Sequence, residues 1–235
     1  MEMDTNRPVL VIGDLQICYE HPKALQFAKY VKKFYKIPDE NILNVGDEVD
    51  ILHGGAWDKD PNTIESPVSE LEISKERIKQ WGEAFPQMKL CISNHGLRWV
   101  RKATQAQIPA QVLRSYTEIY NMPAGWQWRE EWIFNQFKHP FRMIHGMGYS
   151  GKDGHRNAVI DSGISTVLGH LHSHAGIAHI KMMGAKQLWG MNVGCLIDED
   201  AIAFRYGKYN RQKPCVGIGL IFNGGTTPMW LPIDF

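Results

Sequence analysis

Three histidines, His170, His172 and His174, occupy alternate positions behind the short apolar run Val167-Leu168 and Gly169. On an extended segment alternate side chains share a face, so the spacing predicts two or three imidazoles aimed at one point. Neutral imidazole is the commonest metal ligand among side chains; the plainer alternative is a polar loop end in which His recurs. Residues of similar chemistry close four other apolar runs. Asp14 and Gln16 follow the run at 8–13, Asp47 and Asp50 the run at 41–46, and Asn94 and His95 the run at 88–93, while His145 ends the run at 141–145. Singly, Asp, Asn and His are ordinary turn formers. At five strand ends together they predict a site at the carboxyl edge of an α/β sheet, with an oxygen and nitrogen donor set suited to Mn, Fe or Zn.

The elements that must position these groups are legible in outline. The β-branched run at 8–13, the helical spacing of apolar residues over 21–35 and the run at 41–47 read as a strand, a helix and a parallel strand, a βαβ unit. Residues 53–67 form a loop rich in Gly, Pro and Asp, residues 68–84 return to helical spacing, and 97–121 read as two short helices broken at Pro109. Residues 126–134 and 141–145 read as a strand pair, 155–163 as a short helix, and 165–170 as another strand. The last third is a series of short strand-like pieces between turn signals. The pattern implies two sheets flanked by helices in one domain over 1–235, with a lid loop at 53–67 and a helical insertion at 97–121.

Composition narrows the partners. With 43% hydrophobic and 22% charged residues the chain is ordinary for a globular protein, and its net charge of +1 creates no global field toward nucleic acid or an anionic membrane. A local basic groove stays open. No apolar run approaches the ~20 residues that span a bilayer, and the first residues lack the basic and apolar regions of a secretory signal. The four cysteines are far apart, with no C-x-x-C, and are expected to be reduced thiols in a cytoplasmic protein.

The ordered series Asp14-x-Gln16, Gly46-Asp47-x-x-Asp50, Asn94-His95, His145 and Gly169-His170-x-His172 resembles the signature of the calcineurin-like metallophosphoesterases, over residues 14–172. The resemblance implies a four-layer α/β/β/α sandwich with two central mixed sheets and two divalent metal ions, Mn first, with Fe, Zn, Ni or Mg as other candidates. It implies that Asp14, Gln16, Asp47 and His172 hold the first metal. Asp47 then bridges to a second completed by Asn94, His145 and His170. His95 is implied as the general acid toward the leaving oxygen, Asp50 as a support for the ligands, and a metal-bridging hydroxide as the nucleophile.

Two departures from that signature stand out. Gln16 replaces the usual His, which shifts the expected metal toward oxygen-tolerant Mn. Ser93 and Gly96 flank Asn94-His95 in place of the usual Gly and acid, leaving the implied ligands intact. Arg98, His53 and Trp57 are the candidate substrate contacts, Arg98 because related enzymes carry a phosphate-contacting Arg soon after this motif. A solvated helix face would equally explain Arg98, Arg101 and Lys102. Gly146, Gly148 and Gly151 form a nominal dinucleotide fingerprint, but no ribose-binding acid follows the next strand, so a turn feeding a helix is expected.

The expected activity is hydrolysis of phosphodiester bonds in nucleotides or nucleic acid. The alternatives are a phosphomonoesterase or phosphoprotein phosphatase, and a non-catalytic metal-binding partner protein. An amidohydrolase is excluded because its H-x-H pair comes at the first strand, where this chain has Asp14-x-Gln16.

Overall fold

The computed structural model describes residues 2–55, 66–184, 187–201 and 211–233. Strand β1 (Val9–Ile12) is buried on both faces, as a continuous β-branched run requires. Leu10 and Ile12 join a core with the flanking helices, while Val9 and Val11 face the second sheet. Helix α1 (Ala24–Phe34) buries Ala24, Ala28 and Val31, a stripe at helical spacing, and leads into β2 (Ile42–Asn44). β1 and β2 pair in parallel, as the βαβ reading predicts. Helix α2 (Pro67–Ala84) starts with Ser66 accepting from the Ser69 amide at 3.0 Å and with Pro67 in its first turn. A hydroxyl cap followed by a residue with no amide hydrogen to satisfy is a favoured helix start. Strand β3 (Met88–Cys91) follows, then α3 (Arg98–Gln105) and α4 (Tyr116–Tyr120), the two helices expected around Pro109.

The sequence reading of one strand over 126–134 needs correction. The chain forms β4 (Trp126–Arg129) in the first sheet, breaks at Glu130, and forms β5 (Glu131–Phe134) in the second. The Trp128 and Trp132 indoles hydrogen-bond to different partners, Glu48 and the Leu90 carbonyl. Unbroken apolar alternation carries no mark of such a change of sheet. β5 pairs antiparallel with β6 (Phe141–Ile144), the part of the expected strand pair that forms. Helix α5 (Gly154–Ser162) ends at Gly163, whose φ of +68° suits a residue without Cβ. β7 (Ser165–Leu168), β8 (Gly176–Lys181), β9 (Gln187–Asn192), β10 (Gly217–Phe222) and β11 (Thr227–Pro232) complete the strands.

The first sheet runs β11-β10-β1-β2-β3-β4 and the second β5-β6-β7-β9-β8. Both are mixed, because β10 and β11 in one and β5 and β8 in the other run antiparallel to their neighbours. Phe134, Phe141, Met143, Val167, Trp189 and Met191 fill the space between the sheets against Val11, Leu43 and Ile221. Ile78, Trp81 and Phe85 pack α2 on the outer face of the first sheet, and burial of such a side chain contributes about 1.5–3 kcal/mol. Val159 packs α5 on Ile180 and Leu188 of the second. The result is helices, sheet, sheet, helix, the expected α/β/β/α order. The parallel strands β1, β2, β3, β6 and β7 all end toward the loops that carry the candidate ligands.

Candidate metal centre

The ligand loops are shaped by backbone that most side chains avoid. Gln16 (φ 47°), Asp47 (φ 52°), Ile51 (φ 54°) and His170 (φ 67°) are all left-handed non-glycine residues. Each is an uncommon conformation that surrounding structure must hold, and such residues concentrate at functional sites. The first two loops hold each other: the Gln16 amide donates to the Asp47 carbonyl at 2.8 Å, and the Asp50 amide to the Ile17 carbonyl at 2.7 Å. Gly169 is required by close approach. A Cβ there would sit 2.5 Å from Asp14 Oδ1 and 2.4 Å from Val45 Cγ2.

The extended reading of 170–174 does not hold. β7 stops at Leu168 and the histidines lie on a turn, with Asn192 donating to the carbonyls of Leu171 and His174. The left-handed His170 turns the chain, so its ring and that of His172 reach neighbouring points by a bend and not by strand alternation. The His170 amide donates to Asp14 Oδ2 at 2.9 Å, and His172 Nε2 lies 2.8 Å from the same oxygen. His174 turns to Ser173, 2.9 Å from its Nδ1.

The tertiary structure brings all seven predicted ligands together. Gln16 Nε2 is 3.3 Å from His172 Nε2, so Asp14, Gln16 and His172 make one group. His145 Nε2 is 2.8 Å from Asn94 Oδ1 and 3.4 Å from Asp47 Oδ2, and the donor atoms of Asp47, His145 and His170 lie within 4.8 Å of one another. His145 Nδ1, 4.0 Å from Asp14 Oδ1, links the two groups. Asp14, Gln16, Asp47 and His145 form a buried floor, and Asn94, His170 and His172 a half-buried rim.

Three oxygens on that floor, Asp14 Oδ1, Gln16 Oε1 and Asp47 Oδ2, have no hydrogen-bond partner among the described residues. A buried acceptor left unpaired costs about 1–3 kcal/mol or more, and a cation would satisfy all three. His145 donates from Nδ1 to the Val45 carbonyl at 2.9 Å, which fixes the ring and directs Nε2 into the site, the usual support of a ligating imidazole.

The electrostatics agree. Burial acts to raise the Asp47 pKa, but the His145 and His95 rings beside it hold it well below the usual carboxylate range. Burial opposes charge on His145, yet the Asp47 carboxylate pushes its pKa up to about 9. His145 thus holds a proton among Asp47 Oδ2, Asn94 Oδ1 and its own Nε2, where a divalent cation would replace it. For His170, burial and the nearby His145 depress the pKa, keeping a lone pair available.

His95 stands beside this centre. Its amide donates to Asp47 Oδ1 at 3.0 Å, its Nδ1 is 3.0 Å from Asp50 Oδ1, and Arg98 Nη2 is 2.7 Å from its Nε2. With Arg98 donating, Nε2 accepts and Nδ1 carries the ring proton; Nδ1 is near Asp50 but makes no hydrogen bond among the described residues. Asp50 therefore lies against His95. Arg98 also reaches the Asp50 carbonyl at 2.5 Å and the Ile51 carbonyl at 3.3 Å. His53 is 2.8 Å from Glu70, a buried α2 carboxylate that also accepts from the Leu52 and His53 amides. Trp57 lies outside the described residues, as does most of the expected lid loop.

Sequence reasoning missed three supports: Glu70, Asn192 and Glu48. Glu48 is buried beside Asp47 and accepts from the Tyr116 hydroxyl at 2.7 Å and the Trp128 indole at 2.9 Å. Glu48 stands within the Gly46–Asp50 motif and could have been flagged there. Glu70 sits among surface-type residues of an amphipathic helix, with no signal of its burial.

No family model matches the sequence, and no curated protein matches it. Among solved structures, the chain is similar to vacuolar protein sorting 29 from Cryptosporidium parvum, at 13% identity and a TM-score of 0.49, over 97% of this chain and 90% of that one. It is also similar to Yfce, a phosphoesterase from E. coli, at 11% identity and a TM-score of 0.43, over 97% of this chain and 100% of that one. Two mixed sheets flanked by helices are the fold class expected from the sequence.

Proposed function

We propose that this protein is a metal-dependent phosphoric ester hydrolase that binds two divalent cations, Mn foremost, and cleaves phosphodiester bonds of nucleotides or nucleic acid. The observation that carries the reading is the convergence of three unpartnered buried oxygens, from Asp14, Gln16 and Asp47, with the imidazoles of His145, His170 and His172. Asp14, Gln16, Asp47 and His172 would hold one ion and Asp47, Asn94, His145 and His170 the other. Two such ions supply Lewis-acid stabilisation of a phosphoryl group and a readily ionised water.

The chain's own residues do the rest. Two carboxylates among otherwise neutral ligands leave a loaded site net positive, which favours an anionic substrate. Asp50 Oδ1 lies 3.0 Å from His95 Nδ1; once Arg98 releases Nε2, that nitrogen takes up a proton from solvent and His95 passes it to the leaving oxygen. The Arg98 guanidinium, freed by the same exchange, contacts the phosphate. Arg98, Arg101 and Lys102 on α3 favour an extended, polyanionic substrate over a lone monoester. Four free thiols, Cys18, Cys91, Cys195 and Cys215, support a cytoplasmic setting, and no described helix is long and apolar enough to cross a membrane.

The test is hydrolysis by metal-stripped protein reloaded with Mn, Zn or Mg, comparing bis-p-nitrophenyl phosphate with p-nitrophenyl phosphate. Diester turnover that vanishes in Asp47→Ala and drops in His95→Ala is the expected result. A monoester preference would replace the reading with a phosphatase. Tight metal binding without turnover of either ester would replace it with a metal-binding partner protein.

A further inference from the structure

Helix α1 presents a face that its packing does not explain. Its apolar stripe, Ala24, Ala28 and Val31, is already buried on the first sheet. Away from that stripe, Lys29 and Lys33 stand one turn apart, and Tyr30 and Phe34 form a second such row beside them. Tyr30 and Phe34 are each 62% exposed as residues, and their rings stack on one another at 5.9 Å and 28°. Phe34 also meets the Tyr35 ring edge-on at 4.9 Å, yet most of both Tyr30 and Phe34 stays in water.

The charge around these rings is one-sided. From His21 to Pro38 the chain carries five lysines and no carboxylate, in a protein whose net charge is only +1. Lys32 pairs with Asp39, but Lys29, Lys33 and Lys36 form no ion pair among the described residues and are exposed. Gln26, Lys29, Tyr30, Lys33, Lys36 and Ile37 line a shallow hollow of 520 Å³. Attraction to the helix C-terminus accounts for lysines in the last turn, but not for Lys29 or the exposed rings.

We propose that this face of α1 binds single-stranded nucleic acid, with Lys29, Lys33 and Lys36 on successive phosphates and Tyr30 and Phe34 stacked against bases. Cationic side chains beside open aromatic faces are what sequence-tolerant strand binding uses. An anionic membrane fits less well, because interfacial helices insert an apolar face and that of α1 is spent on the core. An acidic peptide would leave the rings without a role. Because β1 and β2 are parallel, α1 returns the chain to the opposite sheet edge from the ligand loops. The surface is therefore separate from the metal centre, and binding there does not depend on the esterase reading.

The experiment is fluorescence anisotropy of a labelled oligothymidine strand of about twenty residues with the full chain in chelator, so that no cleavage intervenes. Affinity should fall with salt at a log–log slope of about −2, for three neutralised phosphates at about 0.7 each. Lys29→Glu/Lys33→Glu should lower affinity at least about tenfold, and Tyr30→Ala/Phe34→Ala about tenfold or more with the slope kept. Lys79→Glu, an exposed lysine of α2 outside both surfaces, should bind as the parent does. All substituted α1 positions are exposed, and thermal melts report whether each variant folds; Lys29→Gln/Lys33→Gln serves if the charge reversal does not. Undiminished binding by the lysine or the aromatic variant would overturn the proposal. So would an equal loss of binding in Lys79→Glu, or capture by phosphatidylserine vesicles without any binding of the strand.

Discussion

Arg98 donates to His95 through Nη2 at 2.7 Å while its Nη1 holds the carbonyls of Asp50 and Ile51. The imidazole is thereby clamped between a guanidinium and the Asp50 carboxylate, 3.0 Å from its other nitrogen. A side chain tied to the catalytic candidate on one side and to two backbone oxygens on the other serves first to position.

That arrangement predicts coupling. His95→Ala should lower kcat by about 10²–10⁴, the usual contribution of a positioned proton donor. Arg98→Gln should lower kcat by about tenfold or more, yet add little in a His95→Ala background, because the two residues act as one unit. Fully additive losses in a double-mutant cycle of diester hydrolysis would show that Arg98 acts on substrate alone.

Metal binding should compete with the proton on His145. The pKa of this group is pushed up to about 9 by Asp47; below that pH a cation must displace a proton, so affinity should increase as pH rises toward 9 and binding should release acid. Calorimetry in buffers of different ionisation enthalpy measures the release. At a hundredfold excess over Kd, metal should stabilise the fold by about 2.7 kcal/mol and raise Tm by roughly 5–10 °C. Asp47→Ala should abolish the gain.

Gln16 offers an amide oxygen where an imidazole would bind Zn more tightly. Mn should therefore support higher activity than Zn in the parent, and Gln16→His should reverse or narrow that order. Titration of stripped protein with each metal, read by turnover and by direct binding, decides it; Zn clearly ahead in the parent would contradict the assignment.

Gly169→Ala places a methyl 2.5 Å from Asp14 Oδ1 and 2.4 Å from Val45. Overpacking of this kind costs about 1–3 kcal/mol, and here it also pushes on a ligand. Denaturant melts should show the loss, and metal affinity should fall in the same variant.

A pH effect is also expected at Glu20, four residues after Gln16 on the same loop. Burial raises the pKa of Glu20, only partly offset by Arg77 at 3.4 Å. A carboxyl with a raised folded pKa contributes stability that is fully present below its unfolded pKa and is lost as pH rises through the folded value. Glu20→Gln should therefore stabilise the protein at neutral pH, with the advantage disappearing in acid. Equal melting curves for both proteins from pH 4 to pH 8 would contradict the shift.

The sequence by itself determined the series of candidate ligands, the first βαβ unit and two sheets flanked by helices. Residue type at a strand end and hydrophobic period are local properties, readable from Asp14, Asp47, Asn94, His145 and His170 without coordinates. Only the tertiary structure decided which ligands meet. Asp14 and His172 are 158 positions apart and share a 2.8 Å contact, a pairing set by the packing of two sheets and invisible to any local pattern. It also decided that His170 and His172 converge through a left-handed turn, that the chain changes sheets at Glu130, and that Glu48, Glu70 and Asn192 are buried supports. Burial of a polar side chain depends on what lies across the fold, and no spacing along the chain reports it.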